Sequence, residues 1–165
     1  MSQQMVGELQ QESATTRRVL ERVPPEKLEW RPHRTSMTLG QLAMHVASIP
    51  ERISDLARRD GFDASQANFE PPQPKDKKEI LDAFEQSVVS AQSYLSGLTA
   101  EAASQSWKLT SKGREVFTIP RAAVLRTVMF NHWYHHRGQL SVYLRMLEVP
   151  IPVIYGRSAD ENPFA

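Results

Sequence analysis

Apolar residues recur three or four positions apart in four long stretches of this chain, the spacing that lines side chains along one face of an α-helix. The first runs from about Gln3 to Val23. Its face carries Met5, Leu9, Val19, Leu20 and Val23, with Glu12 and Thr16 among them, and Pro24-Pro25 cannot extend it. The second begins near Thr38, which with Gln41 matches the S/T-x-x-E/Q capping box. Leu42, Val46, Ile49, Ile53 and Leu56 form its face, and His45 falls on it. Pro50 inside this pattern predicts a kink or break, and Gly61 is a candidate C-cap. The third stretch starts at Asp76, with Glu79 three residues on, and ends at Gly97; its face is Ile80, Phe84, Val88, Ala91 and Leu95. The fourth starts near Pro120, a favoured first helical residue, and reaches about Leu147. Its stripe is Leu125, Val128, Met129, His132, His136, Leu140, Tyr143 and Leu147.

These stretches predict an all-α fold, a four-helix bundle formed as a single domain over 1–165. The connections after the second and third helices, 61–75 and 98–119, are long enough to allow parallel neighbours. The first of these is rich in proline (Pro71, Pro72, Pro74) and reads as a surface connection. In the second, Trp107, Leu109, Val116 and Phe117 flank Ser111-Lys112-Gly113, a pattern for a short hairpin or an ordered loop. The tail from Ile151, with Pro152, Tyr155, Gly156 and Pro163, predicts irregular structure.

Composition narrows the chemistry. The 165 residues are 40% hydrophobic and 24% charged, with a net charge of +1. Such a balance gives no reason to expect nucleic acid or an anionic membrane as partner. No apolar run approaches a membrane span, and the N-terminal residues do not read as a signal peptide, so a cytoplasmic protein is expected. There is no cysteine, which excludes disulfides, zinc–thiolate sites and a thiol nucleophile of the protein's own.

The histidines stand out against this background. His132 and His136 share one helical face four residues apart, and His45 lies on the buried face of another helix. A buried imidazole nitrogen without a partner costs about 1–3 kcal/mol, and a metal ion would satisfy one nitrogen of each ring at once. Three such ligands leave coordination positions open, as a catalytic site requires. A metal-free core of hydrogen-bonded histidines is the alternative. His135 is turned about 100° from His136 and should face away. Gln139 shares the face of the pair and is a candidate hydrogen-bonding partner for a ligand. Glu12 is a candidate base or acceptor for a ligand N–H, unless a shift of helix phase leaves it exposed. Gly138, costly inside a helix, suggests close approach by another element. Arg137 should point sideways, to solvent or a carboxylate. Trp133 and Tyr134 should point away from the ligands and need cover, from the tail or from a second copy.

Several segments, in order along the chain, resemble the DinB-like (YfiT-like) family of metal-dependent enzymes. They are Trp30-Arg-Pro-His33, Ser36-Met-Thr-Leu-Gly-Gln-Leu-Ala-Met-His45, His132-Trp-Tyr-His-His136-Arg-Gly-Gln-Leu, Tyr143-Leu-Arg, and Val149-Pro with Pro152 and Tyr155-Gly156. The resemblance implies an up-down-down-up bundle, a divalent ion (typically zinc or nickel) on His45, His132 and His136, and a homodimer. Some relatives transfer low-molecular-weight thiols to electrophiles, and one branch isomerises maleylpyruvate with a thiol cofactor. The expected function is therefore a metal-dependent enzyme that activates a thiol or water against a small-molecule electrophile. Metal-dependent hydrolysis of an ester or amide, and a non-catalytic metal-binding or stress-response module, are the alternatives.

Overall fold

Pro24 ends the first helical segment as the sequence requires, and the remaining elements follow in a computed structural model that describes Ser2 to Phe164. Helix α1 spans Ser2–Glu21, α2 Leu39–Ala57 and α3 Lys77–Gly97. A short helix, α4, covers Ala100–Ser104. The last helical rod is built in three parts: α5 at Arg121–Val124, a π-helical segment at Leu125–Asn131, and α6 at His132–Met146. Among the described residues no helix is long and apolar enough to cross a membrane.

The caps explain two of these starts. The Thr38 side chain accepts from the Gln41 N–H, and the Gln41 side chain accepts from the Thr38 N–H, which satisfies two otherwise orphaned donors. Asp76 accepts from the Glu79 N–H at the head of α3. The long helices pack in a ring, α1 on α3, α3 on α2, α2 on α6 and α6 on α1. One continuous apolar core fills the space between them, from Leu9 and Leu20 through Leu42 and Ile80 to Leu140 and Leu144.

The fold is mostly helical but not all-α. Strands β1 (Gly61–Asp63), β2 (Ser106–Ser111) and β3 (Arg114–Pro120) form a sheet in that order, β1 parallel to β2 and β2 antiparallel to β3. The hairpin is the one the sequence suggested. Lys112 and Gly113 both have positive φ (50° and 75°), the two-residue turn whose twist matches its strands. The short strand β1 was not foreseen, because three residues carry no readable period. It also reassigns Gly61. Helix α2 ends at Ala57 with Arg58 as its C-cap, and Gly61 instead permits close strand approach. A Cβ there would lie 2.5 Å from the Lys108 carbonyl oxygen. The Trp107 indole N–H donates to the Leu56 carbonyl at 3.1 Å and fixes the sheet against α2.

Pro50 does not break α2, and the reason bears on everything downstream. A proline has no N–H for the carbonyl four residues back. That carbonyl, on Val46, accepts instead from the Trp133 indole N–H at 2.8 Å. The next amide, on Glu51, donates to Ser87 Oγ of α3 at 2.9 Å. Both groups disturbed by the proline are thus satisfied by neighbouring helices, and the helix continues.

Trp133 therefore does not need cover from a second copy. It is fully buried, and Tyr134 packs against Tyr155 of the tail. The buried line on the last rod runs Leu125, Met129, Trp133, Arg137, Leu140, Leu144. From Leu125 to Arg137 it advances in steps of four, so three turns take twelve residues where an α-helix takes about eleven. The π-helical segment supplies the extra residue. His132 and His136 are displaced from the centre of the core face to its edge, where both are half-buried.

Candidate metal centre

His45 stands midway along α2, one residue before the Val46 carbonyl that holds Trp133. His132 is the first residue of α6, one residue before Trp133 itself. The indole–carbonyl bond created by Pro50 thus pins the two helices together at the level of these two imidazoles. His136 follows one turn later on α6.

The three rings face one another. His132 Nε2 lies 3.3 Å from His45 Nε2 and 2.8 Å from His136 Nε2, and the three ligand atoms fall within 4.8 Å of one another. Ring centroids are 4.4–5.1 Å apart. A tetrahedral ion with metal–nitrogen bonds of about 2.0–2.1 Å separates its ligand nitrogens by about 3.3–3.4 Å. The His45–His132 spacing already matches, and the His132–His136 pair would open by about half an ångström.

The hydrogen bonds favour the same arrangement. Gln139 Oε1 lies 2.7 Å from His136 Nδ1 and accepts its N–H, which leaves the Nε2 lone pair of that ring bare and aimed at the cluster. With one N–H per neutral ring, three converging Nε2 atoms cannot all be paired with one another. A cation accepts all three lone pairs. The Nδ1 atoms of His45 and His132 are buried and have no hydrogen-bond partner.

Electrostatics keeps the rings neutral. Burial lowers the His45 pKa to about 3, helped by His136, His132 and Arg52. Burial likewise lowers His136 to about 4, helped by His132 and opposed by Gln139. His132 is also lowered, chiefly by burial. Neutral imidazole is the form that ligates a metal.

The structure brings His45, His132, His136 and Gln139 together. It places Glu12 elsewhere. That side chain is buried, not exposed, and its carboxylate is taken up by Arg137 Nη2 at 2.6 Å and the Tyr155 hydroxyl at 3.0 Å. Arg137 meets a carboxylate, as one of its two expected outcomes, and also donates to Thr16 Oγ1 at 2.9 Å and to the Glu12 carbonyl at 3.3 Å. His135 is exposed and outside the cluster. No element approaches Gly138, because a Cβ added there meets nothing within 4 Å.

Beside the cluster opens a cleft of about 590 Å³. His45 and His132 border it, α2 forms one wall, and Phe62, Trp107, Leu109 and Phe117 of the sheet form another. The sequence reading missed this cleft because much of its lining comes from the two long connections, the sheet they form and the residues that follow β1. The readable signal was Arg52, a charge placed on the apolar stripe of α2 between Ile49 and Ile53.

Comparison with known proteins agrees with this picture. Among the solved structures that share the fold are three DinB-like or DinB-family proteins. A DinB-like protein from Bacillus cereus has 24% identity and a TM-score of 0.66, with 87% of this chain and 91% of that one covered. A DinB-like protein from Bacillus subtilis has 18% identity and a TM-score of 0.71, with 92% and 96% covered. A DinB-family protein from Exiguobacterium sibiricum has 22% identity and a TM-score of 0.64, with 92% and 95% covered. No curated protein matches the chain significantly. The family model for the DinB family matches residues 1–162. A fold shared along almost its whole length, a three-histidine cluster able to hold a metal ion, and that match lead to one conclusion: the chain belongs to the DinB family.

Proposed function

We propose that His45, His132 and His136 hold a divalent ion, zinc or nickel, at the centre of an enzyme that activates a small thiol for attack on an electrophilic small molecule. The observation that carries this reading is the position of the cluster. Two of its three histidines border a substrate-sized, largely apolar cleft, so an outside molecule can reach the ligand atoms. A structural metal would instead be closed off by a fourth side chain. When bound, the ion supplies Lewis acidity that lowers the pKa of a coordinated thiol or water.

The chain's own residues do the rest. Burial holds the imidazoles neutral, and Gln139 fixes the tautomer of His136. The apolar walls exclude water from the electrophile. In the transfer the thiol sulfur bonds to the electrophilic carbon, the leaving group departs with its electron pair, and the thiol proton passes to solvent. With no cysteine in the chain, the thiol must come from outside. Hydrolysis is the weaker reading because it needs a free base. Asp55 borders the cleft but pairs with Arg58, and Glu12 is engaged by Arg137. The same reading takes the ring of long helices as the up-down-down-up bundle of the family, and a homodimer as its assembly.

The test is a screen of metal-reconstituted protein with aryl halides, with and without small thiols. Thiol-dependent release of halide that disappears in the His45→Ala/His132→Ala/His136→Ala variant is expected. Turnover without thiol would move the reading to hydrolysis, and no turnover at all to a metal-binding module.

A further inference from the structure

The cleft carries information about what fills it. Along α2, His45, Ile49, Arg52, Ile53 and Leu56 follow one another at helical spacing and all border the same space. Arg52 lies seven positions after His45, so their Cα atoms are about 10 Å apart along the axis. Arg52 is the charge nearest the ligands on that wall. Among the described residues it makes no ion pair, and its one side-chain hydrogen bond is a long contact of 3.5 Å to the Asn68 carbonyl. Arg59, past the end of α2, borders the cleft as well and is also without an ion pair among the described residues. The acid between them, Asp55, is already held by Arg58 at 3.3 Å. Apart from these groups the lining is apolar, with Val128 below and the sheet aromatics opposite.

Resting on the reading of the cluster as a metal centre, we infer that the cleft binds an elongated apolar molecule bearing a carboxylate, with its apolar body between α2 and the sheet, its carboxylate at Arg52 and its reactive end at the histidines. The argument is one of complementarity. An apolar slot desolvates a hydrocarbon or aryl body. An unpaired guanidinium at its edge then has a strong preference for a carboxylate, which it can grip with two parallel hydrogen bonds. A neutral apolar molecule would leave that exposed guanidinium to solvent and the Asn68 carbonyl. The 10 Å offset sets the length of the body, so a medium-chain or arylalkyl acid suits it better than a short one.

Titration calorimetry with decanoate tests this, with decanol as the neutral control. It is run on the full chain freed of metal, so that the carboxylate has no ion to bind. Decanoate is expected to bind more tightly than decanol. Arg52→Gln should weaken decanoate about tenfold and leave decanol unchanged, Arg52→Lys should recover part of the loss, and Val128→Trp, which fills the slot, should abolish both. Circular dichroism checks that each variant is folded. Equal decanoate affinity in wild type and Arg52→Gln, or no binding by the metal-free wild type, would overturn the inference. The metal uptake of the same wild-type protein, and binding repeated with the ion restored, separate the two readings. Arg52-dependent binding in wild type that takes up no metal would sustain this inference while the metal centre fails. Binding that needs the ion and ignores Arg52 would do the reverse.

Discussion

Two faces of the same six residues, His132 to Arg137, behave in opposite ways. On one, Trp133 and Arg137 are fully buried and every polar group has an answer. The indole donates to Val46, and the guanidinium meets Glu12, Thr16 and Tyr155 while resting 5.3 Å from the Tyr134 ring centroid and 5.0 Å from that of Tyr155. On the other, His132 and His136 are only half-buried, three Nε2 atoms converge without enough protons to pair them, and two buried Nδ1 atoms have no partner. A buried polar network that is fully satisfied holds the frame. One that is left short of partners, next to an open cleft, is arranged for something that comes from outside.

The largest expected effect lies on the satisfied face. Removing Glu12 strands a buried guanidinium, and such losses cost about 3–5 kcal/mol. Glu12→Ala should lower stability by that order in denaturant unfolding, with or without metal. If the same variant lost metal affinity but kept its stability, the division between the two faces would be wrong.

Gln139→Ala should do the opposite. It removes the acceptor that orients His136, and such partners are typically worth 10–100-fold in metal affinity. Competition with a chromophoric chelator would measure the loss, while the metal-free protein should unfold at nearly the wild-type denaturant concentration.

These two predictions also mark how far the sequence could be read. The helix starts at Thr38 and Asp76 were legible because capping is local chemistry. The three histidines were legible as a set because each falls near a buried stripe. The true core line was not, because the π-helical segment inserts a residue's worth of turn and exchanges His132 for Trp133 at its centre. Glu12 looked like a base, and the carboxylate that Arg137 meets could not be named, for a different reason. A period of apolar positions cannot show that two opposite charges, 125 residues apart, are buried against each other. Pro50 read as a kink or break, and the continuity of the helix through it could not be foreseen because its rescue comes from Trp133 and Ser87, both distant in sequence.

A pH series sharpens the comparison with a smaller effect. The folded pKa values of about 3 for His45 and about 4 for His136 lie below the value of about 6.5 expected for an unfolded chain. Between these limits the unfolded chain binds more protons. The stability contributed by the neutral rings is therefore fully present above about pH 6.5 and is lost as pH falls towards 4 and then 3. Measured on metal-free protein, the acid loss should be steeper in wild type than in the triple alanine variant, which lacks these rings. Parallel profiles would mean that the histidines are not held neutral by burial. The smallest effect is expected at Gly138, which is exposed with open space around it. Gly138→Ala should raise stability by up to about 1 kcal/mol through helix propensity alone and leave metal affinity unchanged.

The central claim is most directly tested by elemental analysis of protein purified without a histidine tag and dialysed after exposure to zinc or nickel. One divalent ion per chain in wild type, and none in a folded His45→Ala/His132→Ala/His136→Ala variant, is the expected result. A wild type that retains no metal, or a triple variant that retains as much, would contradict it.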